Sequence, residues 1–327
     1  MSLVPDLTIV ECAADDARGS ALRRKVVLSV LGALAVTCAL GFVLAGHRAQ
    51  FVAALHSAPI SLLAVSALLQ ILALLARSEA WNVTVRAAGG SVPRRLLFRA
   101  AGVGYLASVV NGSLGMAVRI ASLRRVAGDL APRVPALLAA EVPIITVEVV
   151  LAATFSFTLI APLGIPWWEP AIAVVLISGV VVGLRRLSGC RRTGLWAGLA
   201  IFRMKGRGRM IAFTLIAVCA QVARNWLMLR AIGVDVSIFA AMAWLIAMFT
   251  LGQLPIGPSI GPAAAVLILG AHGVAATAAA GVLVAVTGIT GSVCYALWAI
   301  TDQIVTRRLG PTPELVVAPA AVALRSS

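Results

Sequence analysis

Two carboxylates, Glu141 and Glu148, sit in the apolar run EVPIITVEVVLAATF (141–155). Their spacing of seven puts them on one helix face. Pro143, between them, loosens the backbone. Ionisable groups at membrane depth are costly and face a protein interior or a cavity. Arg224 stands in a second apolar run with Gln221 and Asn225 beside it. Counting about 1.5 Å per residue from the Arg-rich ends puts Glu148 and Arg224 at a similar depth of roughly 20 Å. The two are therefore expected to pair. Two readings are open: a static salt bridge that fixes packing, or a charged element of a path through the membrane. A third position, Arg119, follows the small-residue break NGSLG (111–115). Arginine binds phosphate through two N–H groups at once, and Asn111, Ser113 and Gly115 complete a candidate headgroup-binding set. Arg119 also fits an ordinary basic flank, and Arg124 and Arg125 fit that better.

A second break interrupts LGQLPIGPSIGPAAAVLILG (251–270), with Pro255, Pro258 and Pro262 between glycines. Broken backbone at membrane depth needs protein or a water-filled cavity around it. The flanking pieces, 238–254 and 263–271, are each shorter than the roughly 20 residues of an untilted span. A re-entrant hairpin is expected, with a Pro-kinked pair of packing helices as the alternative. Gln253, Pro255, Pro258, Ser259 and Gly261 would line a path there, with Glu141, Glu148 and Arg224.

The elements that must hold these residues are membrane helices. The chain has 327 residues, 61% hydrophobic and 12% charged, against about 25% charged in soluble domains. The net charge of +15 collects at the ends of apolar runs, which is the positive-inside pattern and not a nucleic-acid surface. The five cysteines form no CxxC pair and the three histidines show no ligand spacing, so no metal or cofactor is expected. No GxSxG, P-loop, HExxH or paired-Asp motif occurs, and an enzyme is not expected.

Full spans are expected near 26–46, 57–77, 134–161, 170–184, 210–231 and 276–301. Tails 1–25 and 302–327 flank the membrane domain 26–301. Arg23, Arg24 and Lys25 place the N-terminus in the cytoplasm. The segment carrying Arg77, Arg86, Arg94, Arg95 and Arg99 is then inside. If 96–118 dips in and returns, Arg119, Arg124, Arg125 and Arg133 stay inside as well. The basic segment 185–209 and the C-terminus also fall inside. Region 238–271 enters from the opposite face.

RAAGGSV (86–92) and RAIGVDV (230–236) match at Arg, Ala, Gly and Val. Each follows a span holding an Arg and a Trp, and each precedes a break sharing Ser-x-Gly. Two hairpins entering from opposite sides form an inverted repeat, an arrangement common in transporters. The expected fold is therefore all-α and polytopic, with about six full spans and two re-entrant or broken hairpins.

Over roughly residues 26–301 the chain resembles the lysylphosphatidylglycerol synthase transmembrane-region family of flippase-like proteins. NGSLGMAVRIASLRR (111–125) looks similar to that family's first break and basic segment, with Gly115 and Arg119 in place. GPSIGPAAA (257–265) occupies the place of its second break. Met116 and Ala264 stand where the family has glutamates, which argues against an aminoacylated lipid. The resemblance implies a stand-alone flippase-like domain in a bacterial inner membrane, without the aminoacyltransferase domain. The expected partners are anionic membrane phospholipids. A non-transporting scaffold for a membrane enzyme is the alternative.

Overall fold

The computed structural model describes residues 44–109, 112–187, 206–252 and 260–309, with scattered positions in 31–42 and 199–202. The expected span 26–46 and both tails lie largely outside these residues. Among the described residues the chain is all-α and has no strand. Five of its helices are long and apolar enough to cross a membrane. The chain is thus a polytopic membrane protein.

After a short α1 (Arg48–Ser57), α2 runs from Ile60 to Ala87. Helices α3 (Arg94–Ser108) and α4 (Gly112–Ala127) follow. Then come α5 (Val134–Ala139) and α6 (Val142–Thr154), the short α7 (Ile160–Leu163) and α8 (Trp168–Leu187). The second half holds α9 (Arg207–Ala231), α10 (Ile238–Leu251), α11 (Ile260–Leu269) and α12 (Val274–Leu309).

The long helices α2 and α9 form the most extensive helix pair. They run antiparallel. Arg224, late in α9, bonds Gln70 in the first half of α2, while a Cβ on Gly206, at the start of α9, would lie 3.7 Å from Val83 near the end of α2. Alanines 73, 76, 217 and 220 fill the seam. Small residues suit it, because helices in lipid associate by close backbone packing.

Both helices end in the same way. Gly89 has φ +90° and Gly233 has φ +77°. Gly89 N–H donates to Arg86 O and Gly233 N–H to Arg230 O, each at 3.1 Å. Gly90 N–H donates to Val85 O and Val234 N–H to Leu229 O, each at 3.0 Å. This is one glycine-based helix stop, built twice from the matched segments 86–92 and 230–236. The repeat is thus present in the backbone as well as in the letters.

Each stop feeds a helical hairpin. Helices α3 and α4 pack closely on one another, and Ser91 N–H donates to Leu130 O across their mouth at 3.2 Å. The segment returns to the side it entered from. Gly104 and Gly115 permit the contact: a Cβ on Gly115 would lie 2.5 Å from Ser108 Cβ and 2.8 Å from Gly104 O. Helices α10 and α11 also pack together, and Trp244 Nε1–H donates to Gly261 O at 3.2 Å. Since α2 and α9 are antiparallel, the mouths of the two hairpins lie at opposite ends of the bundle. The helices flanking both breaks pack as paired, inverted units, while the turns at 110–111 and 253–259 lie outside the described residues.

Three expected bounds change. The span given as 57–77 is the 28-residue helix Ile60–Ala87, because no Gly or Pro interrupts the run before Gly89. The span 134–161 is broken between Ala139 and Val142 and ends in 3-10 turns. Pro143 has no N–H for the carbonyl of Ala139, which opens the helix there. The last helix continues past 301 to Leu309.

Gly115→Ala should lower the thermal unfolding midpoint in detergent, at a cost of about 1–3 kcal/mol for overpacking. Gly112→Ala, with nothing within 4 Å of its Cβ, should stay within about 0.5 kcal/mol of the parent.

Candidate functional site

The break in α5–α6 turns Glu141 into the bundle, where it is 7% exposed and forms an ion pair with Arg119 of the first hairpin. Arg119 is equally buried. Its guanidinium lies over the Trp81 ring, 4.3 Å from the centroid, and 6.0 Å from that of Tyr105. Gly104 sets its position, since a Cβ there would come within 2.6 Å of Arg119 Cβ. Arg119 is therefore an interior residue, held by a carboxylate on one side and an aromatic face on the other. It is not displayed at a membrane surface.

Two turns along the same face of α6, Glu148 pairs with Arg77 of α2. This overturns the expected pairing with Arg224. Arg77 had been placed in the basic flank after the second span. The longer α2 carries it inward, ten residues from the Ala87 end, or about 15 Å along the axis. Arg224 instead donates to the amide oxygen of Gln70. The carboxylate face of α6 is matched by two arginines, and neither is Arg224.

The Arg77–Glu148 pair forms one wall of a cavity of about 390 Å³ bounded by α2, α6, α9 and α10. That is within the range of small-ligand sites. The rest of the lining is mostly apolar, including Leu151, Phe155, Val218, Met242, Ile246 and Phe249, with Gln221 as a further polar group. Its rim reaches the outer surface at Leu215 and Ile238, which are 37% and 47% exposed. Glu148 Oε2 is buried without a hydrogen-bond partner. Such a cavity can accept an apolar chain from the bilayer and offer a single charged contact at depth.

A third buried carboxylate, Glu79, takes a hydrogen bond from Asn82 Nδ2 at 3.2 Å and pairs with Arg94 at the start of the first hairpin. Arg95 Nε donates to both carboxylate oxygens of Asp302 at 2.9 Å, and Arg99 Nη2 donates to the Asp302 carbonyl at 3.0 Å. The mouth of the first hairpin is thereby fastened to the end of α12.

The remaining expected residues separate. Gly115 is at the hairpin contact, and Gly261 accepts from Trp244 and packs on Gly281. Ser113 lies in α4. Asn111, Gln253, Pro255, Pro258 and Ser259 lie outside the described residues. Met116 packs against the core around Trp81 and Leu123, and Ala264 is fully buried. Gln70, Arg77, Glu79, Trp81 and Tyr105 were missed. All but Tyr105 lie on α2, and an unbroken helical period carried through to Gly89 would have placed them inside.

No known protein family, curated protein or solved structure matches the chain.

Arg119→Met or Glu141→Met alone leaves a buried charge unpaired and should cost about 3–5 kcal/mol. The double variant should lose less than either single change. Equilibrium unfolding in mixed micelles checks both.

Proposed function

We propose that this protein moves phospholipids between the leaflets of a bacterial inner membrane. The observation that carries the reading is the cavity between α2, α6, α9 and α10. It has an apolar lining, a rim on the outward surface, and an ion pair in its wall. An acyl chain fits the lining. Arg77 offers a headgroup phosphate a cation when Glu148 releases it. The inverted hairpins add support, since this arrangement recurs where a substrate crosses by rocking of two related halves. The resemblance to flippase-like domains points the same way. The positive-inside rule orients the chain with the basic mouth of the first hairpin, the N-terminus and the C-terminus in the cytoplasm. The arginines flanking the helices at that face favour anionic lipids. The sequence carries no P-loop, and the movement proposed is passive or ion-coupled.

A second reading, a membrane scaffold for another envelope protein, draws on the buried Arg119–Glu141 ion pair, which suits a static core.

The test is reconstitution into liposomes with fluorescent phosphatidylglycerol and chemical reduction of the outer-leaflet label. Wild type should expose label from the inner leaflet. Ala152→Trp, which fills the cavity from its wall, should fall to the protein-free baseline while retaining its thermal midpoint. No movement of any headgroup by folded wild type favours the scaffold.

A further inference from the structure

Among the described residues two arginines are buried, Arg119 with a carboxylate partner and Arg224 without one. Among the described residues, Glu79, Glu141, Glu148, Asp235 and Asp302 are engaged by Arg94, Arg119, Arg77, Arg230 and the Arg95–Arg99 pair. Asp129 and Glu169 are exposed at helix ends. Arg224 is 7% exposed and has no carboxylate. Its partner is the neutral amide of Gln70, and its Nε is buried without a hydrogen bond. A cation in hydrocarbon without a counter-charge is unfavourable by several kcal/mol.

Helix α12 packs close beside it. Gly288 of α12 faces the guanidinium, and a Cβ there would lie 3.4 Å from Nη1 and 3.9 Å from Nη2. Gly291 makes room for Gln70 in the same way. Helix α12 also fixes the depth. Gly281 meets Pro262 of the second hairpin, and Tyr295 O–H donates to Ser78 at 3.1 Å beside Tyr105 of the first. Residue 288 is seven positions from each, about 10 Å along the axis. The unmatched cation therefore lies midway between the two hairpins.

We propose that Arg224, backed by Gln70 and faced by Gly288, binds a phosphate-class oxyanion, supplied by a phospholipid headgroup or as free phosphate. The planar guanidinium fork suits two oxygens of such a group. The headgroup form rests on the lipid-translocation reading. The anion site does not.

The test titrates the purified full chain in detergent with inorganic phosphate and, separately, with dihexanoyl phosphatidylglycerol, following the thermal midpoint. Either probe should raise the wild-type midpoint, and the apparent affinity should weaken at least about tenfold in Arg224→Gln. Stabilisation by the lipid alone assigns the site to headgroups. Stabilisation by phosphate alone assigns it to a soluble anion. Without ligand, Arg224→Gln should melt at or above wild type, because it removes an unmatched charge, whereas Arg119→Gln should melt lower. Gly288→Val, which crowds the guanidinium, should also abolish the shift and serves if Arg224→Gln does not fold. No shift with either probe, or an equal shift in both variants, overturns the site. Binding without leaflet exchange would refute the translocation reading and leave the site. Leaflet exchange unaltered in Arg224→Gln, with no binding, would do the reverse.

Discussion

A bilayer interior holds no water to solvate a charge or an open backbone, so each buried cation and each broken helix must find its partner within the protein. Helix α6 answers that demand for the first half of the chain. Its two carboxylates, seven residues apart, reach Arg119 on the first hairpin and Arg77 on α2. The helix break at Pro143 lets Glu141 meet an arginine that approaches on a short, re-entrant helix. Losing one partner strands the other, which is why this face ties together α2, α4 and α6.

The second half meets the same constraint differently. Its hairpin is almost wholly apolar, closed by the Trp244 bond to Gly261 and by the seat of Pro262 on Gly281. Helix α12 follows the second hairpin as α5 and α6 follow the first, yet it presents glycines and a serine–tyrosine contact where α6 presents glutamates. The two halves share a helix stop and a hairpin plan but not a charge plan. That asymmetry leaves one ion pair facing a cavity and one arginine without a counter-ion.

Much of the architecture was legible in the residues. Basic flanks around 96–118 require a segment that returns, and the bond from Ser91 to Leu130 closes that mouth. The short match between 86–92 and 230–236 marked two copies of one glycine stop. The charge pairing was less legible. Depth along single helices cannot distinguish Arg77 from Arg224 as the partner of Glu148, because both lie at mid-depth and lateral neighbours depend on which helices pack. Arg77 was further obscured by reading it as the end of a span, when the helical run continues without Gly or Pro to Ala87. Arg119 looked like a headgroup residue because it follows a break. Its burial depends on Gly104 and Trp81, distant in sequence from the motif that drew attention to it.

The central claim is that the two hairpins open toward opposite faces of the membrane. Single cysteines at Asp129, beside the first mouth, and at Asp235, beside the second, would test it in a cysteine-free background. Both positions are exposed. A membrane-impermeant maleimide applied to sealed, right-side-out spheroplasts should label Asp235→Cys and spare Asp129→Cys until the membrane is opened. Labelling of both positions from the same side would contradict the inverted arrangement, and with it the symmetry from which the cavity and the anion site are argued.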